Sequence, residues 1–560
     1  MDKSAQNSLA KILSFGSLAV TLLVTSSISY DPVNVSKLVV ATGAGFAIWA
    51  LLFRSRFKPV LPDSKYVVFA VIAFLGFGLV SVLASSAAWE QNVFGTFGRN
   101  TGYLVYLSFC GILLGATSVR DKKHFVWVIR SVIFGGLVNI VYCGIDIIGP
   151  DLIGWNNVYG HILGTFGNPN FISAYLGIFL VMSLAYVFGE GFNAKFRLAS
   201  VAIACVTFFE IVKSAAIQGI AVTGAGLAII GFYLVRSRAS KLIYSWIYSV
   251  LVLIVGSFAL AGALQTGPLA QYIYKTSVSL RGVYWDAGIK MGLDNPLTGV
   301  GFDSYGDYYR QVRSAQAMIT PGPQTVTNAA HNVVIDVFAS GGFPLLIAYL
   351  VLLFAAVVSI IRVTIRKKQY DGVFVSISVG WACYQLQSLV SINQIGLAIW
   401  GWLLTGLVVA YDIATRNEVD SSESSLLEKG RKVKAKSTKS GSLVLIPSLG
   451  FIMGTLVAMP PFAADAQWRS AAKSGNAQIV YNAAVKWPID SYRLNSISGT
   501  FAQNNLDTQA IELIRKSVEL NPNSYDAWRI YASIPSATEV EKTKATEMMR
   551  KLDPRNTNLE

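Results

Sequence analysis

Two stretches hold the residues best suited to chemistry: RGVYWDAGIKMGLDNPLTGVGF at 281–302 and AHNVVIDVFASGGFP at 330–344. Arg281 stands one helical turn before Trp285, so a helix here carries guanidinium and indole on one face. Asn295-Pro296 and the paired glycines after them break that helix into a compact turn. Arg310 and Arg313 follow one turn apart, then a Gly/Pro-containing segment, and His331 and Asn332 open a returning helix with Asp336 further along it. Arginine offers phosphate a planar fork of charge-assisted hydrogen bonds. Histidine removes a proton from a hydroxyl near neutral pH. Taken singly, an arginine anchors at an interface and a histidine fills a structural hydrogen bond. The chain has only three histidines, His124, His161 and His331, and an arginine and a histidine in one loop read as an anion-binding and acid/base pair.

The elements that position this pair must cross a membrane. Of the 560 residues, 53% are hydrophobic and 14% charged, and roughly twenty-residue apolar runs flank the loop. Thirteen spans are expected, centred near residues 20, 45, 76, 110, 137, 180, 205, 226, 254, 352, 381, 402 and 451. The formal charge of +15 falls in short clusters between these runs, which argues against nucleic acid as a partner. RSRFKP, RDKK, AKFR, RSRASK, RVTIRKK and RKVKAKSTK alternate with connections poor in Lys and Arg, so the positive-inside rule puts the N-terminus in the cytoplasm and the 265–342 loop outside. The four cysteines lie in apolar runs, without metal-ligand or redox spacing.

Other outer connections add polar groups. GTFG occurs twice before a span, with Arg99 after the first and Asn168 and Asn170 after the second. Lys213 and Gln218 sit at an abrupt turn near the same surface. Residues 1–415 are therefore read as one membrane domain, 416–442 as a disordered cytoplasmic linker and 443–460 as a last span. Residues 464–560 are soluble in composition. Their prolines 488, 522 and 554 recur at intervals of 34 and 32 residues, as in a tetratricopeptide-like helical repeat outside the membrane, which is a surface for a protein partner.

An outer site has no ready supply of nucleotides, and no GxxxxGK[ST], HExxH or Asp-x-Asp pattern is evident, so the expected donor is already activated and held in lipid, with no metal and no cofactor. RGVYW, NPLTGVGF and AHNVVIDVFASGGFP, in that order within a large outer loop, resemble the O-antigen ligase and Wzy polymerase superfamily; GTFGRNTGYL and GTFGNPNFISAYL are similar to loops of the same superfamily. The resemblance implies an all-α, GT-C-like polytopic transmembrane bundle of about 12–13 spans in the cytoplasmic membrane. It implies a metal-independent glycosyltransferase acting on polyprenyl-diphosphate-linked glycan, with Arg281 on the diphosphate and His331 on the acceptor hydroxyl. Arg99, Lys213, Gln218, Asn168, Asn170, Trp285, Arg310, Arg313 and Asn332 are the candidate substrate-binding residues. Many relatives carry an arginine where this chain reads SAAIQG, with Gln218, which leaves Lys213 or Arg99 to supply a second cation. The acceptor is a glycan, a lipid or a protein hydroxyl. Two other classes compete: a transporter or flippase of lipid-linked saccharides, for which the chain shows neither convincing paired halves nor many mid-span charges, and a membrane-anchored scaffold working through its tail.

Overall fold

The structure, a computed structural model, describes residues 3–58, 60–189, 191–273, 276–425 and 442–556. Among these residues there are helices, turns and loops and no strand. The chain begins α1 (Lys3–Leu22), α2 (Asn34–Arg54), α3 (Leu61–Ala84), the short α4 (Trp89–Phe94), α5 (Tyr103–Thr117), α6 (Lys122–Ile148), α7 (Pro169–Val187), α8 (Ala194–Lys213), α9 (Ile217–Arg238) and α10 (Ile243–Ala263). The large loop holds α11 (Ala270–Ile273), α12 (Thr276–Asp294), α13 (Tyr305–Val312) and α14 (Ala315–Ile319). Then come α15 (Val333–Arg366), α16 (Gly372–Ser388), α17 (Ile395–Ser425) and α18 (Ser442–Ser474). The tail comprises α19 (Ala477–Ala484), α20 (Ser491–Gln503), α21 (Asp507–Leu520), α22 (Tyr525–Ser533) and α23 (Glu539–Leu552).

Every expected span centre falls on a helix, and nine helices among the described residues are long and apolar enough to cross a membrane unaided. The other four are α1, α5, α8 and α16; α5 has 15 residues and α16 has 17. The first expected centre, residue 20, falls near the C-terminal end of α1 rather than at its middle. Helix α1 stops at Leu22 because the Thr25 amide donates to Pro32 O (2.8 Å) and the Thr25 and Ser29 hydroxyls bond each other (2.7 Å). Asp31 completes this turn by accepting from the amides of Val33, Asn34 and Val35. At the other end, α17 extends through Ser425 into the expected linker, of which residues 426–441 lie outside the described residues.

Close helix packing depends on small residues. Helix α18 lies along α2 with Gly450 and Gly454 at the contact, where a Cβ would come within 2.7 Å of Phe46 O and 2.5 Å of Thr42 O. This is the small-xxx-small device that lets membrane helices approach without a hydrophobic drive from water. Helix α18 then continues past the membrane bundle. Its Trp468 and Ala471 are buried in a second apolar core with Leu494, Ile497, Phe501, Leu513 and Trp528 of the tail. Within that tail α20 packs on α21, and α22 on α23.

Candidate active site

The two motifs of the large loop are held against each other by backbone. Val300 N donates to Ala339 O (2.8 Å), Gly301 N to Ser340 O (3.1 Å) and Phe343 N to Pro296 O (2.8 Å), so NPLTGVGF lies along ASGGFP. Only glycine fits there. Gly299 (φ 62°) would drive a Cβ to 2.3 Å from Ser340 C, and Gly342 (φ 64°) one to 2.3 Å from Pro296 O. Gly342 also interrupts the helical dihedrals of α15, so residues 333–341 form a separate segment before the membrane-spanning part. Ser81 and Ser85 of the α3 end donate to Ser340 O (2.6 Å) and Val300 O (2.9 Å), tying the joint to the bundle.

Next in sequence, Asp303 organises the first GTFG loop. Its carboxylate accepts from Thr96 N (3.1 Å), Thr101 N (2.9 Å) and Thr101 Oγ1 (2.6 Å), and it ion-pairs with Arg99 Nε at 3.4 Å. Arg99 Nη1 donates to Asn328 O at 2.5 Å. One arginine thus joins the loop of residues 95–102, the glycine turn at 299–303 and the loop leading to His331. Arg99 and Asp303 are buried, their side chains 9% and 3% exposed, so the pair is shielded from water and its charge acts at short range with little screening.

His331 is fixed from both sides. Asp336 Oδ1 accepts from Ala330 N (2.7 Å), and Asn332 caps the helix by accepting from Val334 N (3.0 Å) and Ile335 N (3.2 Å). Between these anchors His331 takes a left-handed backbone (φ 56°), a conformation that costs a non-glycine residue energy and persists where the surroundings impose it. Its Nδ1 lies 3.2 Å from Ala329 O. A carbonyl only accepts, so Nδ1 carries the hydrogen and Nε2 keeps its lone pair. Burial, opposed by the Ala329 carbonyl and reinforced by the charges of Arg281 and Arg99, pushes the imidazole down to about 4, which keeps it neutral at physiological pH.

Arg281 completes the group. It lies on α12 one turn before Tyr284, whose ring centroid is 5.5 Å from that of His331. Burial lowers its pKa from the ordinary guanidinium value, and among the described residues it has no hydrogen-bond or ion-pair partner. The Trp285 indole Nε1, also buried, has no acceptor among them either. A half-buried guanidinium without an acid, a free indole N–H and a neutral imidazole with an open nitrogen make a place for an anion beside a base.

The other expected residues are placed elsewhere or in other roles. Arg310 and Arg313 are not part of this group: Arg313 Nη2 donates to both oxygens of Asp553 (2.7 Å each), Arg310 Nη1 to Asp553 Oδ2 (3.1 Å), and both also donate to Pro323 O. The expectation that they bind substrate gives way to a buried ion pair with the tail. Gln218 is buried and donates to Gln387 Oε1 (2.8 Å), while Lys213 is exposed, with its ammonium 5.5 Å from the Phe209 ring centroid. Asn168 caps α7 and donates to Tyr159 OH (3.2 Å), and Asn170 is an exposed residue of the first turn. Asn332 serves as a helix cap. Sequence reasoning missed Asp303 and Asn328, the two groups that seat Arg99; the one available signal was that Asp303 directly follows GVGF.

Comparison with characterised proteins returns no matching curated relative. Residues 198–350, from α8 through the first half of α15, match the family model described as O-antigen ligase (Wzy_C), a span that holds Arg281, Trp285, Asp303 and His331 but not Arg99. On that match and on its bundle of apolar helices, this polytopic membrane protein carries an O-antigen ligase domain, the mark of a glycosyltransferase-type enzyme.

Proposed function

We propose that the protein transfers a glycan from a polyprenyl-diphosphate carrier to an acceptor hydroxyl at the outer surface of the cytoplasmic membrane. The observation that carries this reading is the pairing of an unpartnered Arg281 with a neutral His331 whose Nε2 is open. Arg281 grips the diphosphate, with the buried charge of Arg99 behind it in place of the arginine that relatives carry where this chain has Gln218. His331 Nε2 takes the acceptor's hydroxyl proton as that oxygen bonds to the anomeric carbon. The bond from that carbon to the diphosphate oxygen breaks, and its electron pair leaves with the diphosphate, whose new charge the guanidinium stabilises. Trp285 and its indole N–H line the donor side. The outward orientation rests on the charge pattern of the connections.

The test is transfer by purified protein from a labelled polyprenyl-diphosphate oligosaccharide to glycan, lipid and peptide acceptors. Arg281→Ala is expected to cost about 10² to 10³ in rate and His331→Ala about 10² to 10⁴, the usual ranges for losing a preorganised charge and a general base. Near-normal transfer by both variants would sink the mechanism.

A further inference from the structure

A separate cavity of about 550 Å³ opens at the opposite end of the bundle. Helix α15 runs from Val333, two residues after His331, to Arg366, and the cavity begins at Arg366, a whole membrane thickness from the site above. Its walls come from the start of α6 (Lys122, Val126), the turn after α7 (Gly189, Phe192) and the α15–α16 connection. Such a volume matches sites for small ligands.

Among the described residues its charge is unbalanced: four cations line it, Lys122, Arg366, Lys367 and Lys368, against one carboxylate, Asp371. Two of these cations are already engaged: Arg366 Nη2 pairs with Asp412 (2.8 Å) and Lys367 Nζ with Asp371 (2.6 Å) and Tyr411 OH (2.9 Å). Asp371 is also occupied in capping α16 at Val373 N and Phe374 N. Lys122 and Lys368 are exposed and have no partner among the described residues. Arg197 adds a further cation at the rim by donating to Gly189 O (3.3 Å). Lys122 also opens the 27-residue α6, whose preceding Asp121 makes no side-chain cap and accepts from the His124 amide through its backbone carbonyl (2.9 Å).

We infer that this cavity seats the phosphodiester headgroup of an anionic membrane lipid between Lys122 and Lys368. A lipid fits better than a soluble phosphate because the cations stand at the ends of membrane-spanning helices and the walls below them, Val126, Val373 and Phe192, are apolar. Those walls suit the glycerol and upper acyl chains, as in basic pockets between helices generally.

Native mass spectrometry of the full-length protein in detergent, titrated with phosphatidylglycerol or phosphatidylcholine, tests this. Phosphatidylglycerol should be retained preferentially, and Lys122→Gln/Lys368→Gln should weaken its retention by about tenfold or more. Arg238→Gln/Lys241→Gln, at the exposed basic turn after α9, should leave retention near the starting value. Should the double variant lose helix content by circular dichroism, Lys368→Gln alone, in the exposed connection, carries the same expectation with a smaller loss. Equal retention of the two lipids, or equal weakening by the control pair, would overturn the inference. So would displacement of the bound lipid by millimolar inorganic phosphate, which would reassign the cavity to a soluble anion.

Discussion

Arg281 and the Arg310–Arg313 pair belong to the same large loop and are the same residue type, yet they are in opposite electrostatic states. Arg281 has no acid, and its charge falls on His331. Arg313 is fully buried and bound bidentately by Asp553, with Arg310 on the same carboxylate and its guanidinium 4.1 Å from the Tyr525 ring centroid. One arginine keeps its charge available to a ligand, and two use theirs to fasten the end of the tail. The lesson is that a cation's neighbours, rather than its place in a motif-bearing loop, decide whether it can act on substrate.

The sharpest way to break this contrast is through Asp553. Asp553→Ala leaves Arg313 buried and unpaired, and is expected to cost about 3 to 5 kcal/mol in stability, read as a lower denaturant midpoint. The loss should follow stability rather than the transfer step, so activity per folded molecule should stay high. A variant that unfolds normally but cannot transfer would mean that the tail pair belongs to the chemistry.

A second test uses pH. The base form of His331 is required, so kcat/KM should be flat through neutrality and fall only as pH drops through about 4. Arg281→Gln removes a charge that depresses this imidazole, so whatever activity remains should lose its acid limb at a higher pH. Arg310→Gln should leave the limb where it is. An unmoved limb in Arg281→Gln would separate the two residues. The smallest effect expected lies within the pair. Arg310 makes one bond to Asp553 and is 11% exposed, so Arg310→Gln should destabilise less than Arg313→Gln in the same unfolding measurement.

Much of this was legible along the chain, for identifiable reasons. Hydrocarbon demands long apolar helices, so the spans stand out in composition, and the first centre, residue 20, falls near the end of α1 because Thr25, Ser29 and Asp31 build a turn just after it. Arg281 and His331 stand out as candidates because few residue types handle phosphate and protons, and the structure brings the charge of Arg281 to bear on His331. The joint between NPLTGVGF and ASGGFP could not, because it is made by backbone groups that every residue carries. The pairing of Arg310 and Arg313 with Asp553 is not legible in the sequence because Asp553 lies 240 residues from Arg313, in the tail. Arg99 was visible as a cation, but its tie to Asn328 runs to a carbonyl and leaves no trace in residue type.

The break at Gly342 has a mechanical consequence. Before the break, Ala339 O and Ser340 O accept from Val300 N and Gly301 N, which moors the short segment after His331 to the loop; directly after it, Phe343 N donates to Pro296 O and pins the top of the spanning helix at the same joint. A bilayer thicker or thinner than the spanning helix makes that helix tilt. With Gly342 as the pivot and Phe343 pinned beside it, a tilt of residues 343–366 is expected to be taken up at the glycine, so transfer should change little between vesicles of short and long acyl chains. Gly342→Ala, which forces a Cβ against Pro296, should reduce transfer in all of them. That outcome would make the hinge a gimbal, letting the membrane flex beneath a site that keeps its alignment.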